Sequence, residues 1–151
     1  MKSTKLAEER GLRTFLLVMD KGDEAFERIT TFATAHSVDA ASLTAIGAVR
    51  EATLGYFDPQ ITDYRSTRFA EQMELASFIG DIADNDGKPA LHAHVVLGRR
   101  DSSAVAGHLQ RLIVYPTMEV VLTETPAHLR KRVDPETGLA LIAVPDSTPS
   151  A

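Results

Sequence analysis

Leu91-His92-Ala93-His94-Val95-Val96-Leu97-Gly98, followed by Arg99-Arg100-Asp101-Ser102-Ser103 and Ala104-Val105-Ala106-Gly107-His108, holds three of the five histidines in the chain. A strand sends alternate side chains to one face, so His92 and His94 project together, about 7 Å apart. His94 and His108 stand symmetrically about Asp101. If the polar run Arg99 to Ser103 reverses the chain as a hairpin, His108 returns opposite His94 and three imidazoles converge. Such a set suits zinc, copper, nickel or iron, and with metal–nitrogen bonds of about 2.0–2.1 Å it leaves one tetrahedral position open. Two other readings of these residues stand beside it. A His-x-His pair on a strand is often a surface coincidence, and Ser102 can cap a helix with Val105, His108, Leu109 and Leu112 along its apolar stripe. Gly107 weighs against that helix, since glycine costs about 1 kcal/mol relative to alanine in a helix interior.

Upstream, Asp84-Asn85-Asp86-Gly87-Lys88-Pro89 is a strong hairpin signal, because Asp-Gly supplies the positive φ angles of a tight turn. It makes the histidine strand antiparallel to the one containing Phe78. Period-two alternation also marks Leu43 to Val49, Ala52 to Tyr56, Met73 to Ile79 and Met118 to Leu122, while Tyr64 to Phe69 is polar enough for an edge. Thr14 to Met19 is a continuous apolar run, as expected of a strand covered on both faces. Glu24 to His36 carries Ala25, Phe26, Ile29, Phe32 and Ala33 at helical spacing, with Asp23 and Glu24 favouring the helix dipole. His36 is read as a helix-end residue and His128 as a surface residue. Asp134 to Gly138 is a turn, after which Leu139 to Val144 forms a last strand.

The 151 residues fit one domain, placed at 13–144, with a charged, loose or peripheral arm over 1–12 and a disordered Ser- and Pro-rich tail over 145–151. The fold class is α+β: a mostly antiparallel sheet of six or seven strands with one main helix packed on one face. Without cysteine there is no thiolate catalysis and no Cys-ligated zinc, so any soft-metal site must be built from histidine. No apolar run approaches the roughly 20 residues of a membrane span and the first ten residues lack a secretory apolar segment, so a cytoplasmic location is expected. The net charge of −5, with Arg99-Arg100 and Arg130-Lys131-Arg132 the only basic clusters, gives nucleic-acid binding no support.

The chain resembles the plants and prokaryotes conserved (PPC) domain over roughly Arg13 to Leu141. The residues that carry the likeness are Ala45-Ile46-Gly47-Ala48-Val49, Leu54-Gly55-Tyr56-Phe57, Leu91-His92-Ala93-His94, Gly107-His108-Leu109 and Pro116-Thr117-Met118-Glu119-Val120. The resemblance implies an α/β fold with a largely antiparallel sheet, a homotrimer, and a metal, usually taken as zinc, on His92, His94 and His108. Land-plant members join this domain to an Arg-Gly-Arg-Pro AT-hook, and bacterial relatives carry a DNA-binding label by analogy. Neither that segment nor a basic arm is present here, and the family's Gly-Gly-His is Ala106-Gly107-His108.

Three functions compete. The first is a zinc-binding homotrimeric module that regulates, or recognises a small ligand or protein partner. The second is a DNA-binding protein acting through the sheet or the Arg99-Arg100 loop. The third is a metal-dependent hydrolase or lyase, which needs a general acid or base, with Glu119 or Glu74 as candidates. Glu119 can also orient an imidazole, although a solvent-facing role is the simpler reading.

Overall fold

The two longest strands, β3 (Ala40–Asp58) and β7 (Ala104–Glu124), run antiparallel and are paired from Ala41 opposite Glu124 to Gly55 opposite His108. The computed structural model describes residues 1–126 and 128–144. Around that pair lie β1 (Lys2–Glu9), β2 (Leu12–Met19), β4 (Asp63–Phe69), β5 (Met73–Asn85) and β6 (Lys88–Gly98), in the order β1-β2-β7-β6-β5-β3-β4. β7 pairs with β3 as well, so the path β3-β5-β6-β7 closes on itself. A separate hairpin joins β8 (Lys131–Val133) to β9 (Ala140–Ile142). The named strands are all antiparallel to their neighbours, and the class is α+β in the broad sense only, mostly β with a single short helix among the described residues.

Apolar alternation sets which face of each strand is buried. Leu91, Ala93, Val95 and Leu97 of β6 are buried, as are Met118, Val120 and Leu122 of β7, while the residues between them face outward. Helix α1 (Ala25–Ala35) buries Ala25, Ile29, Phe32 and Ala33, one stripe at i, i+4, i+7 and i+8, and packs against β6 and β7. Glu24 caps it, accepting from the backbone N–H groups of Phe26 and Glu27, and the same carboxylate accepts from Leu112 N–H at 2.9 Å, tying the helix start to β7. His36 ends the helix and stacks on Phe32, with ring centroids 4.0 Å apart, in keeping with a structural role.

The two-residue turn Asp86-Gly87, with φ angles of 53° and 79°, joins β5 to β6 as the sequence suggests, and β4 lies at the sheet edge. The helix considered for Ser102 to Leu112 does not form; Ser102 lies in the turn and Ala104 to Leu112 open β7. Of the two readings of the charged stretch 1–12, it is peripheral and not loose, since it carries the edge strand β1. Lys2–Glu9 pairs with β2 across the turn Arg10-Gly11, and because all eight of its side chains are exposed, no alternation betrays the strand. The expected disordered tail lies outside the described residues. Among the described residues no helix is long and apolar enough to cross a membrane.

Glu124, at the end of β7, clamps β2. Its Oε2 accepts from Arg13 backbone N–H at 2.7 Å and from Arg13 Nε at 2.8 Å, and its Oε1 accepts from the guanidinium as well. The Arg13 hydrogen bonds hold the carboxyl below its ordinary pKa, outweighing burial, which acts the other way. The folded state therefore favours the carboxylate. This contribution is present above the unfolded pKa and is lost as pH falls through the lower, folded value. Glu124→Gln is expected to cost about 1–3 kcal/mol at neutral pH, with the difference from wild type shrinking toward about pH 3. Urea unfolding at the two pH values checks this, and a difference that does not change with pH would show that charge is not the cause.

Candidate metal centre

β6 and β7 stay paired from Gly98–Ala104 back to His94–His108 and then part. The hairpin expected about Asp101 forms, and His94 and His108 are Cα partners. His92, two residues before His94 on the outward face, completes the group. The ring centroids of His92, His94 and His108 are 5.3, 5.3 and 5.4 Å apart, and one ligand nitrogen from each lies within 4.8 Å of the others.

Each ring has a different environment. The His92 Nδ1–H donates to Asp81 Oδ2 at 3.2 Å, which leaves Nε2 as its free lone pair. His108 stacks on Tyr64 with centroids 4.5 Å apart and planes 22° from parallel, and its Nδ1 is buried with no hydrogen-bond partner. Gly55, the Cα partner of His108 on β3, makes this stack possible, since a Cβ there would lie 2.7 Å from the Tyr64 ring. His94 is exposed beside Ile79.

Burial, reinforced by His92, His94 and Lys131, pushes His108 down to about 4. Burial and then His92 lower His94. Both are thus held in the neutral form that a metal requires. A tetrahedral ion with bonds of about 2.0–2.1 Å spaces its ligand atoms roughly 3.3–3.4 Å apart. The observed nitrogens, within 4.8 Å of one another, lie somewhat wider than that, and His108 Nδ1 is buried without a hydrogen-bond partner. The donor set fits a borderline metal with one position left open.

The two candidate acid–base carboxylates do not join this group. Glu119 is exposed opposite Val18 and Ile46, eleven positions along β7 from His108, and Glu74 is exposed opposite Gly98. The carboxylate at the site is Asp81 of β5, which the sequence reading missed. Counting outward from the Asp86-Gly87 turn pairs residue 81 with residue 92, so the signal was present in the register. Tyr64 and Lys131 had no comparable signal, because Tyr64 arrives from the edge strand and Lys131 from β8. Lys131, half-buried, is lowered by burial and partly restored by Asp81. His128 is exposed and away from this group.

A closed antiparallel strand circuit with three outward imidazoles at the point where two strands separate defines a class of small β-rich protein with a candidate metal centre. The sequence matches the Plants and Prokaryotes Conserved (PCC) domain over residues 6–126, and the chain belongs to that family. Solved structures agree. A metal-containing protein from Archaeoglobus fulgidus is 33% identical, with a TM-score of 0.81, covering 87% of this chain and 93% of its own. A plant- and prokaryote-conserved protein from Pyrococcus horikoshii is 29% identical, with a TM-score of 0.82 and coverages of 87% and 92%. A protein from Bacteroides thetaiotaomicron named as a candidate DNA-binding protein is 26% identical, with a TM-score of 0.85 and coverages of 93% and 96%. No curated protein matches the sequence.

In metal-free protein the His108 imidazole is expected to stay neutral until about pH 4. Unfolded histidine takes its proton near pH 6.5. A group whose folded pKa is depressed in this way costs stability as pH falls from the unfolded toward the folded value. Imidazole Cε1–H chemical shifts followed against pH provide the check, and a His108 midpoint near 6.5 would contradict the burial.

Proposed function

We propose that this protein is a metal-binding module, with zinc as the ion and His92, His94 and His108 as ligands, which works as a homotrimer by recognising a small ligand or partner. The observation that carries the reading is the convergence of three ligand nitrogens within 4.8 Å on rigid, register-locked strands. Two further features support it. Asp81 holds His92 in the tautomer a metal needs, and His108 Nδ1 has no other partner. When bound, the ion supplies a Lewis-acidic open position, and the protein supplies three neutral imidazoles and an anchoring carboxylate. The metal-containing relative from Archaeoglobus fulgidus points the same way.

For assembly, the outer face carries exposed Ile46, Ile79 and Val121, on three adjacent strands where Thr44 is the partner of both Ile79 and Val121. Apolar side chains grouped this way suit contact with other copies. The enzyme reading loses Glu119 and Glu74 as acid or base. DNA binding draws support from the Bacteroides relative's name, but Arg99 is paired with Glu71 at 3.1 Å and lies over the Phe69 ring, which leaves Arg100 alone in that loop.

Elemental analysis of purified protein is expected to find zinc in the wild type and little in His92→Ala, His94→Ala or His108→Ala. Equal metal in all four would overturn the proposal. Asp81→Asn should keep the ligands yet weaken zinc affinity roughly 10- to 100-fold, as measured by competition with a chromophoric chelator. Light scattering should return three times the chain mass, and a monomer at micromolar concentration would remove the trimer. If DNA bound instead, affinity would fall steeply with salt.

A further inference from the structure

Near the point where β6 and β7 part, the segment leading into the β8–β9 hairpin is tied to β5, with Asp84 N–H donating to Leu129 C=O at 2.8 Å. Between hairpin and sheet lies a cleft of about 450 Å³ lined by Tyr64, Asp81, His92, His108, Lys131 and the apolar residues Leu91 and Leu139 to Ile142. That volume is of the order that small-molecule sites show. We propose that this cleft binds a small organic carboxylate, with Lys131 recognising the anionic head and Leu139 and Leu141 seating the hydrocarbon part.

The Lys131 side chain is half-buried and its ammonium makes no hydrogen bond or ion pair with another described residue, although it senses Asp81 electrostatically. A cation left so is costly unless something compensates it. Among the described residues Asp81 is the only acidic one in the wall, and its Oδ2 is held by His92 while its Oδ1 is sealed from solvent and unpartnered. Neither oxygen is positioned to neutralise Lys131 within ion-pair distance. The arrangement also selects among anions. A phosphate dianion is ordinarily met by several donors, backbone N–H groups among them, whereas this wall offers one ammonium and a nearby carboxylate that repels a second charge. One negative charge on a short apolar body matches one cation beside leucines. The inference rests on the metal reading only for the extra positive charge that an ion on the three histidines adds, which strengthens the preference for an anion.

The test uses full-length protein, zinc-loaded and chelator-treated, with hexanoate and its neutral analogue hexanamide as probes. Titration calorimetry gives affinity, and methyl NMR shifts of Leu139 and Leu141 report location. Hexanoate is expected to shift those methyls in both forms, more tightly with zinc, and to bind roughly tenfold or more tightly than hexanamide. Lys131→Gln should remove that preference, while Lys131→Arg keeps affinity within about threefold and shows that the hairpin is intact. Equal binding of the two probes, no shift at Leu139 and Leu141, or hexanoate affinity unchanged in Lys131→Gln would each overturn the proposal. Zinc content separates the two readings. Lys131 is no ligand, so Lys131→Gln should hold as much zinc as wild type; a wild type without zinc defeats the metal reading, while Lys131-dependent binding by that protein sustains this one.

Discussion

Bonding of β7 along both edges is the constraint on which the rest of this structure depends. Following Cα partners across the sheet from Gly55 leads to His108, His94, Ile79, Thr44 and then Val121, so β3 and β7 are each met twice. The circuit leaves little freedom of register, because a slip at one strand pair must be absorbed by all the others. His94 and His108 are links in that closed path. Their proximity follows from backbone pairing, and so does the outward direction of their side chains.

The core enforces the same register. Leu91, Ala93, Val95 and Leu97 are almost wholly buried on the inner face of β6, and a slip of one residue would exchange them for His92, His94 and Val96. Exposing three large apolar side chains costs on the order of 5 kcal/mol or more, comparable with the whole stability of many domains. The histidines are therefore positioned by side chains on the opposite face of their own strand. A candidate site built on strands held this way needs no loop to order itself before an ion could bind.

Legibility in the sequence followed the range of the interactions. Turn chemistry and period-two alternation act over a few residues, which is why the Asp86-Gly87 hairpin, the bend about Asp101 and the pairing of His94 with His108 were readable. β1 was not, because a strand whose eight side chains are all exposed earns its place through backbone hydrogen bonds, and these leave no apolar pattern. The bulges were equally silent. Register shifts at Leu75/Ser77 and Ala45/Gly47 change which residues face inward partway along β5 and β3, so simple alternation fails there. Glu119 is solvent-facing, the simpler of its two readings: β7 carries both it and His108 but keeps them eleven positions apart.

Charge pairing explains what kind of surface remains. Arg13 is held by Glu124, Arg28 by Asp23, Arg65 by Asp58, Arg68 and Arg111 by Glu51, and Arg99 by Glu71. These arginines lace strands and loops of the same chain together, so little of their charge projects as a continuous field toward a polyanion. Lys131 departs from that pattern. Its ammonium sits half-buried near a carboxylate already engaged by His92, at the one place where β6 and β7 separate and the sheet's outer face is roofed by a hairpin. An unpaired cation half-buried in a cleft favours a small ligand entering the fold over a long one lying across it.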